Sequence, residues 1–312
     1  MQPGDIFTKA DIKRLTRRSD LRGVWAIAAN WALIAFAFAL VARWPNPLSV
    51  VVALCLIAGR QLALGILQHE GAHQTLFESR WGNLVATDWL CARPIWQNLE
   101  KYRIHHLKHH ADAGSDADPD ISLHRDYPIT RASLRRKFLR DLFGITGVKT
   151  IFGLLLMDAE IIRWTVSNDI VRLPRKGRVI PTALRNMAPM LLTNAVLFGL
   201  LWAAGHPALY ALWWLAFITP LPLFMRIRSI AEHGCLERID DVFKNTRTTR
   251  AGWLAKLTVA PIAVHYHIEH HLLPGVPYYR LKDLHQLLRA KRLLDEPPGY
   301  WQVLRQASAM GS

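Results

Sequence analysis

Leu48 to His73 reads LSVVVALCLIAGRQLALGILQHEGAH, and two physical demands meet inside it. Leu48 to Leu67 is an almost uninterrupted apolar run, long enough as a helix to cross the roughly 30 Å hydrocarbon core of a bilayer. Directly after it stands His69-Glu70-Gly71-Ala72-His73, where two imidazoles four residues apart share one face of a helix. A membrane span thus runs straight into a pair of metal-ligand side chains. The remainder of the chain falls into place around that junction.

Upstream, Val24 to Ala42 is apolar except for Asn30 and forms a first span. Arg43-Trp44-Pro45-Asn46-Pro47 joins it to the second, and the two prolines mark where one helix stops and the next starts. Downstream, Ala188 to Ala204 and Pro207 to Met225 make a second hairpin across Gly205 and His206. Pro220 and Pro222 are expected to kink the last helix near its end. The first 23 residues carry Lys9, Lys13, Arg14, Arg17, Arg18 and Arg22, whereas the two short connections hold only Arg43. The positive-inside rule therefore puts residues 1–23, 68–187 and 226–312 in the cytoplasm. No small-x-small site precedes Arg43, and both the charged stretch and the apolar run are too long for a cleaved signal, so the first span reads as a mature helix. Ile145 to Trp164 has an apolar face broken by Lys149, Asp158, Glu160 and Arg163. It either lies along the membrane surface or packs within a cytoplasmic cap. The expected fold is all-α and membrane-integral: four transmembrane helices in two hairpins (24–42, 48–67, 188–204, 207–225) with a helical cytoplasmic cap, one domain over residues 1–312.

Composition agrees with that placement. Lys plus Arg exceed Asp plus Glu by 39 to 24 in 312 residues, yet 51% of the chain is apolar and the charge is segregated from the apolar runs. That pattern belongs to a protein of the cytoplasmic membrane, not to a nucleic-acid binder. Cys55, Cys91 and Cys235 have no paired spacing, so neither a disulfide framework nor a CxxC metal site is implied. Arg60, deep in the second apolar run, is an intramembrane charge two turns before the first histidine pair and is expected to snorkel to the cytoplasmic surface.

The fourteen histidines matter for their spacing. HxxxH at His69 and His73 is followed by HLKHH, with His106, His109 and His110, and near the C-terminus by HIEHH, with His267, His270 and His271. All three boxes lie on one side of the membrane in a topology drawn without them. Two HxxHH boxes plus an HxxxH by chance is on the order of one in a thousand or rarer, so accidental surface clustering is a poor account of the set. It remains adequate for His124, His265 and His285, which have no partner at ligand spacing. His105 points roughly 100° away from His106, and His206 lies in the outer turn. Eight box histidines exceed what one tetrahedral zinc takes, and two metals with four or five nitrogens each would use them. Imidazole suits Fe, Cu, Zn and Ni alike, so ligand type leaves the metal open. Glu70, Glu232 and Glu269 each abut a box histidine and are expected to accept a free ring N–H, as Asp118 and Asp120 are unless they cap a turn. His69-Glu70-Gly71-Ala72-His73 also satisfies HExxH, the motif of intramembrane zinc proteases, but that reading leaves both HxxHH boxes unexplained.

The order HxxxH, HxxHH, HxxHH, with the first box just past a transmembrane hairpin, resembles the membrane fatty acid desaturase and hydroxylase superfamily. Tyr102-Arg103 before the second box and Asp118-Pro119-Asp120 after it extend the likeness. The run HIEHHLLPGVPYYRLKDLH, from His267 to His285, is similar to the bacterial lipid desaturase branch. The resemblance implies a non-haem di-iron centre, O2 as cosubstrate, and desaturation of a fatty acyl or lipid-linked chain. Hydroxylation or carotenoid ketolation is the alternative within the superfamily. It also implies His233 as a ninth ligand, and it places Ser229 where some relatives have an asparagine that reaches iron through water. An apolar tunnel between hairpins and cap would pose the substrate, with Trp89, Trp96 and Trp253 as candidate lining. No haem motif, iron–sulfur cysteine set or dinucleotide-binding glycine pattern is present, so a separate donor of the ferredoxin or cytochrome b5 type is implied. The basic cytoplasmic face suits such a donor and equally suits anionic lipid headgroups.

Overall fold

Four helices are long and apolar enough to cross a membrane: Asp20–Arg43, Pro47–Ala72, Val179–Ala203 and Pro207–His233. They belong to a computed structural model that describes residues 3–164, 170–174 and 177–310. Positions 1–2, 165–169, 175–176 and 311–312 of the expected extramembrane segments lie outside the described residues. The spans appear in the expected order, but their ends on the histidine side are longer than hydropathy indicates. The second begins on Asn46, whose Oδ1 accepts from the Ser49 N–H (3.0 Å) with Pro47 in the first helical position, and it runs on to Ala72. The fourth breaks at Thr219 into Tyr210–Ile218 and Pro220–His233, because Pro220 cannot continue the hydrogen-bond ladder. It then continues past Met225, since Arg226 and Arg228 find carboxylate partners in the protein at Asp141 and Glu232.

The first, second and fourth spans build the core. Ile34, Ala37 and Phe38 pack with Ala53, Ile57 and Leu64 of the second span and Trp213 and Ala216 of the fourth. The third span stands apart, with Leu184, Leu192, Val196, Leu200 and Trp202 exposed to what would be lipid. Two buried amides are tied to backbone: Gln61 Nε2 donates to the Trp213 carbonyl (2.8 Å) and Asn30 Nδ2 to the Arg60 carbonyl (3.2 Å).

Arg60 does not snorkel. The residue is 5% exposed, and its guanidinium donates to the carbonyls of Lys256 and Leu257, both at 3.0 Å, at the C-terminal end of the short helix Trp253–Leu257. Those carbonyls have no helical donor of their own, and a cation satisfies them best. Gly59 makes the approach possible, because a Cβ there would overlap the Leu257 carbonyl. The same helix holds Trp253 and Leu254 outward, 75% and 59% exposed.

The cap is built on Leu99–Asp112, Arg131–Leu142, His267–Leu272, Leu281–Ala290 and Tyr300–Ala307. Helix Lys9–Leu15 closes it from the N-terminal side, with Leu15 fully buried against Leu272, Leu284 and Leu288. Residues 82–95 wind as two π-helical turns and a 3-10 turn, and Trp31 Nε1 holds them by donating to the Leu90 carbonyl (2.9 Å). Ile145–Asp158 is helical; Gly147 seats it against the backbone of Ile218, while Val148 and Phe152 stay exposed. That unpartnered apolar face favours the membrane-surface position. Among the described residues the strands are a single antiparallel ribbon, Ile162–Trp164 with Ile170–Arg172, and the fold is all-α in class.

Candidate metal centre

The second span delivers His69 on its last turn and His73 at its C-terminal cap. Helix Leu99–Asp112 starts where Asn98 Oδ1 accepts from the Lys101 N–H (2.9 Å), and it carries His106, His109 and His110. The fourth span ends on Glu232 and His233, and the short helix His267–Leu272 carries His267, His270 and His271. Four elements distant in sequence therefore aim nine imidazoles at one place.

The nine divide into two groups, each able to hold a metal ion: His69, His73, His106, His110 and His270 in one, and His109, His233, His267 and His271 in the other. The second-box and third-box helices each feed both groups, and the groups adjoin where His110 stacks on His271 with ring centroids 4.2 Å apart. The Nε2 atoms converge: His69 to His270 2.8 Å, His73 to His106 2.9 Å, His106 to His110 3.1 Å, His110 to His270 2.9 Å, and His233 to His267 2.9 Å. Metal–nitrogen bonds of about 2.1 Å at right angles place neighbouring nitrogens about 3 Å apart. Hydrogen bonding alone does not account for the same spacing. A ring nitrogen carries either one proton or one lone pair, so Nε2 of His106 cannot bond to His73 and His110 at once. The donor set fits metal ions.

Burial, with neighbouring cations adding to it, holds His73 at about 4 and His110 at about 2. It keeps His106, His267, His270 and His271 well below the usual histidine range. These rings are neutral at neutral pH, the form that binds metal. His109 is the exception. Burial opposes its charge, but the hydrogen bond from Nδ1 to Asp118 (2.8 Å) outweighs it and raises the pKa. Burial likewise pushes Asp118 up, while the hydrogen bond from His109 and the nearby His124 ring hold it well below the carboxylate range.

The carboxylates behave differently from one another. Asp118 accepts the His109 ring N–H. Asp120 serves His105 (2.8 Å) and stays 3.8 Å from His109. Glu70 accepts from the Thr75 hydroxyl (2.8 Å) and the Tyr278 N–H (2.9 Å), leaving its other oxygen 3.5 Å from His69 Nδ1. That places it on the far side of His69 from the converging nitrogens, where it cannot act as the base of a zinc protease. The expectation that Glu269 accepts from a box imidazole is corrected: it pairs with Thr248 and His285, both at 2.5 Å. Glu232 is corrected too, since it approaches His267 at Nε2 (3.7 Å), while His267 Nδ1 is buried without a hydrogen-bond partner among the described residues. Ser229 makes no hydrogen bond to the nine imidazoles among the described residues.

Sequence spacing missed two residues. His124 is buried 3.5 Å from Asp118, and His285 bonds Glu269 across sixteen positions. The only signal for the latter was that both fall within one continuous run resembling relatives. The tryptophans do not make a common wall: Trp253 points outward, Trp96 donates to Asp158 (2.9 Å), and Trp89 lines a different cavity. That apolar cavity, about 1040 Å³, lies between the first and third spans beside Phe38, Leu197 and Leu200, and no box histidine lines it.

The sequence profile of the fatty acid desaturase family matches residues 45–303, which includes all nine of these histidines. The chain belongs to the fatty acid desaturase family. It is also similar to the dihydrorhizobitoxine desaturase of Bradyrhizobium elkanii, 25% identical over 315 residues that cover 95% of this chain and 82% of that protein. Family membership makes it an oxidoreductase of the desaturase and hydroxylase type, and the four apolar helices mark it as a membrane protein.

Proposed function

We propose that this family member is an oxygen-dependent di-iron desaturase, converting a C–C single bond of an acyl chain, free or lipid-linked, into a C=C double bond at the cytoplasmic face of the inner membrane. The observation that carries this reading is the convergence of nine imidazoles into adjacent groups of five and four. His69, His73, His106, His110 and His270 would hold one iron, and His109, His233, His267 and His271 the other. Bound there, the irons would supply the oxygen chemistry that an unactivated C–H bond requires.

The protein's own part is positioning. Asp118 and the Asn245 carbonyl (3.1 Å) fix the rings of His109 and His233 through Nδ1, which directs Nε2 inward. Tyr102 stacks on His106 with ring planes 9° apart and limits its rotation. Box helices continuous with the spans, or packed on them, keep the site rigid at the membrane edge, where an acyl chain arrives. Forming the double bond removes two electrons and two protons from the substrate, whereas reducing O2 to two waters consumes four of each. The remaining two electrons come from a separate carrier, and the basic surface supports an acidic protein of the ferredoxin or cytochrome b5 type.

The test is mass spectrometry of acyl chains from a host expressing the protein and from the same host expressing His270→Ala. A new double bond that appears only with the intact protein is the expected result. A new hydroxyl or keto group instead would replace desaturation with the hydroxylase or ketolase reaction. Equal products from both hosts would refute the assignment of His270.

A further inference from the structure

The two histidine groups are unequal, five nitrogens against four, and a buried carboxylate stands beside the poorer one. Glu232 immediately precedes His233 at the end of the fourth span, and its side chain is 7% exposed. Arg228, one turn earlier, donates from Nε to Glu232 Oε1 (2.7 Å) and fixes the carboxylate's direction. The other oxygen, Oε2, faces His267 Nε2 at 3.7 Å. That nitrogen is 2.9 Å from His233 Nε2, so it belongs to the converging edge of the four-histidine group. A carboxylate placed to orient His267 would sit at Nδ1, yet Nδ1 is the atom left without a partner. Glu232 therefore addresses the position of the metal.

We propose that Glu232 completes the four-histidine site through one bridging water, rests on the two-metal reading given above, and takes the place suggested for Ser229. A carboxylate oxygen bound directly and at a right angle to His267 would lie about 3 Å from its Nε2. The observed 3.7 Å is longer than that, and Glu232 stands outside the group of four imidazoles whose ligand atoms lie within 4.8 Å of one another, a setback that one water bonded to Oε2 would span. Arg228 balances the carboxylate's charge, so the site keeps an anion inside a buried pocket without an uncompensated ion. The two metals then sit in different fields. One has five neutral nitrogens, and the other has four nitrogens and a water held by an anion, which favours the higher oxidation state at the second position.

The experiment is titration of the metal-free, detergent-solubilised full chain with Co²⁺, for the unmodified protein and for Glu232→Gln, Glu232→Asp and Ser229→Ala. Glutamine keeps the shape and a carbonyl for Arg228 but loses the charge. The unmodified protein and Ser229→Ala are expected to bind two ions per chain with the same affinities. Glu232→Gln is expected to keep one ion unchanged and to bind the second 10–100-fold more weakly, with Glu232→Asp between. Unchanged affinities in Glu232→Gln, or a second ion lost in Ser229→Ala instead, overturn the proposal. Fewer than two ions in the unmodified protein would sink the two-metal reading itself and this inference with it, and that failure shows before any substitution is made.

Discussion

Asp118 has no exposed side-chain surface and accepts the Nδ1–H of His109 at 2.8 Å, so the ligand nitrogen is set from behind the ring. Replacing it by asparagine removes the charge that keeps His109 in the right orientation, and metal at the four-histidine group is expected to weaken 10–100-fold. Iron retained after dialysis against a chelator checks this, and retention equal to the unmodified protein would contradict it. Acidity acts on the same rings. Unfolded, they take protons near pH 6.5; folded, His73 does so at about 4 and His110 at about 2, and His106, His267, His270 and His271 only well below 6.5. Below pH 6.5 the unfolded chain therefore binds more protons, and the metal-free protein loses up to about 1.4 kcal/mol per ring for each pH unit. His109, raised by Asp118, works in the opposite direction but is one ring against six. The melting temperature of the metal-free protein is expected to be lower at pH 5.5 than at 7.5; an unchanged or higher value would count against neutral buried rings. The box histidines were readable because i, i+3 and i+4 spacing is a local property of a helix. The direction of Glu269 was not, because Thr248 and His285, distant in sequence, decide which way it turns, whereas Glu232 is turned by Arg228 one helical turn before it.

Helices show the same division between local and tertiary control. Apolar runs located all four spans, but their ends on the histidine side were hidden, since hydropathy stops at Met225 while the helix runs on to His233 through arginines paired inside the protein. Arg60 was read as a charge seeking water, and the structure gives it the end of helix Trp253–Leu257, nearly two hundred residues away. That contact sets a severe steric limit at Gly59. Gly59→Ala is expected to destabilise the protein by about 1–3 kcal/mol through overpacking against the Leu257 carbonyl. Thermal unfolding in detergent measures it, and a melting temperature equal to that of the unmodified protein would mean the two backbones are not held this close. Gly65, on the same helix but with only the Ile95 side chain near it, is the control: alanine there should cost far less.

Across the whole molecule, charge and hydropathy pointed to the architecture before any contact was known, because bilayer crossing depends on composition over about twenty residues and not on packing. Most of the excess of 39 basic over 24 acidic residues lies outside the spans, and an acidic electron carrier meeting that surface is expected to work more slowly as salt rises. Turnover with such a carrier at 50 and 300 mM salt tests this, and a salt-independent rate would place docking elsewhere. Everything else rests on the proposal that the nine histidines, brought together from four elements, hold two irons. The most direct measurement is iron content with Mössbauer spectroscopy on the purified, iron-loaded protein beside His270→Ala and His271→Ala. Two irons per chain are expected in the unmodified protein, with His270→Ala losing iron from the five-histidine group and His271→Ala from the other. One iron per chain, or two that both substitutions leave in place, would contradict the account.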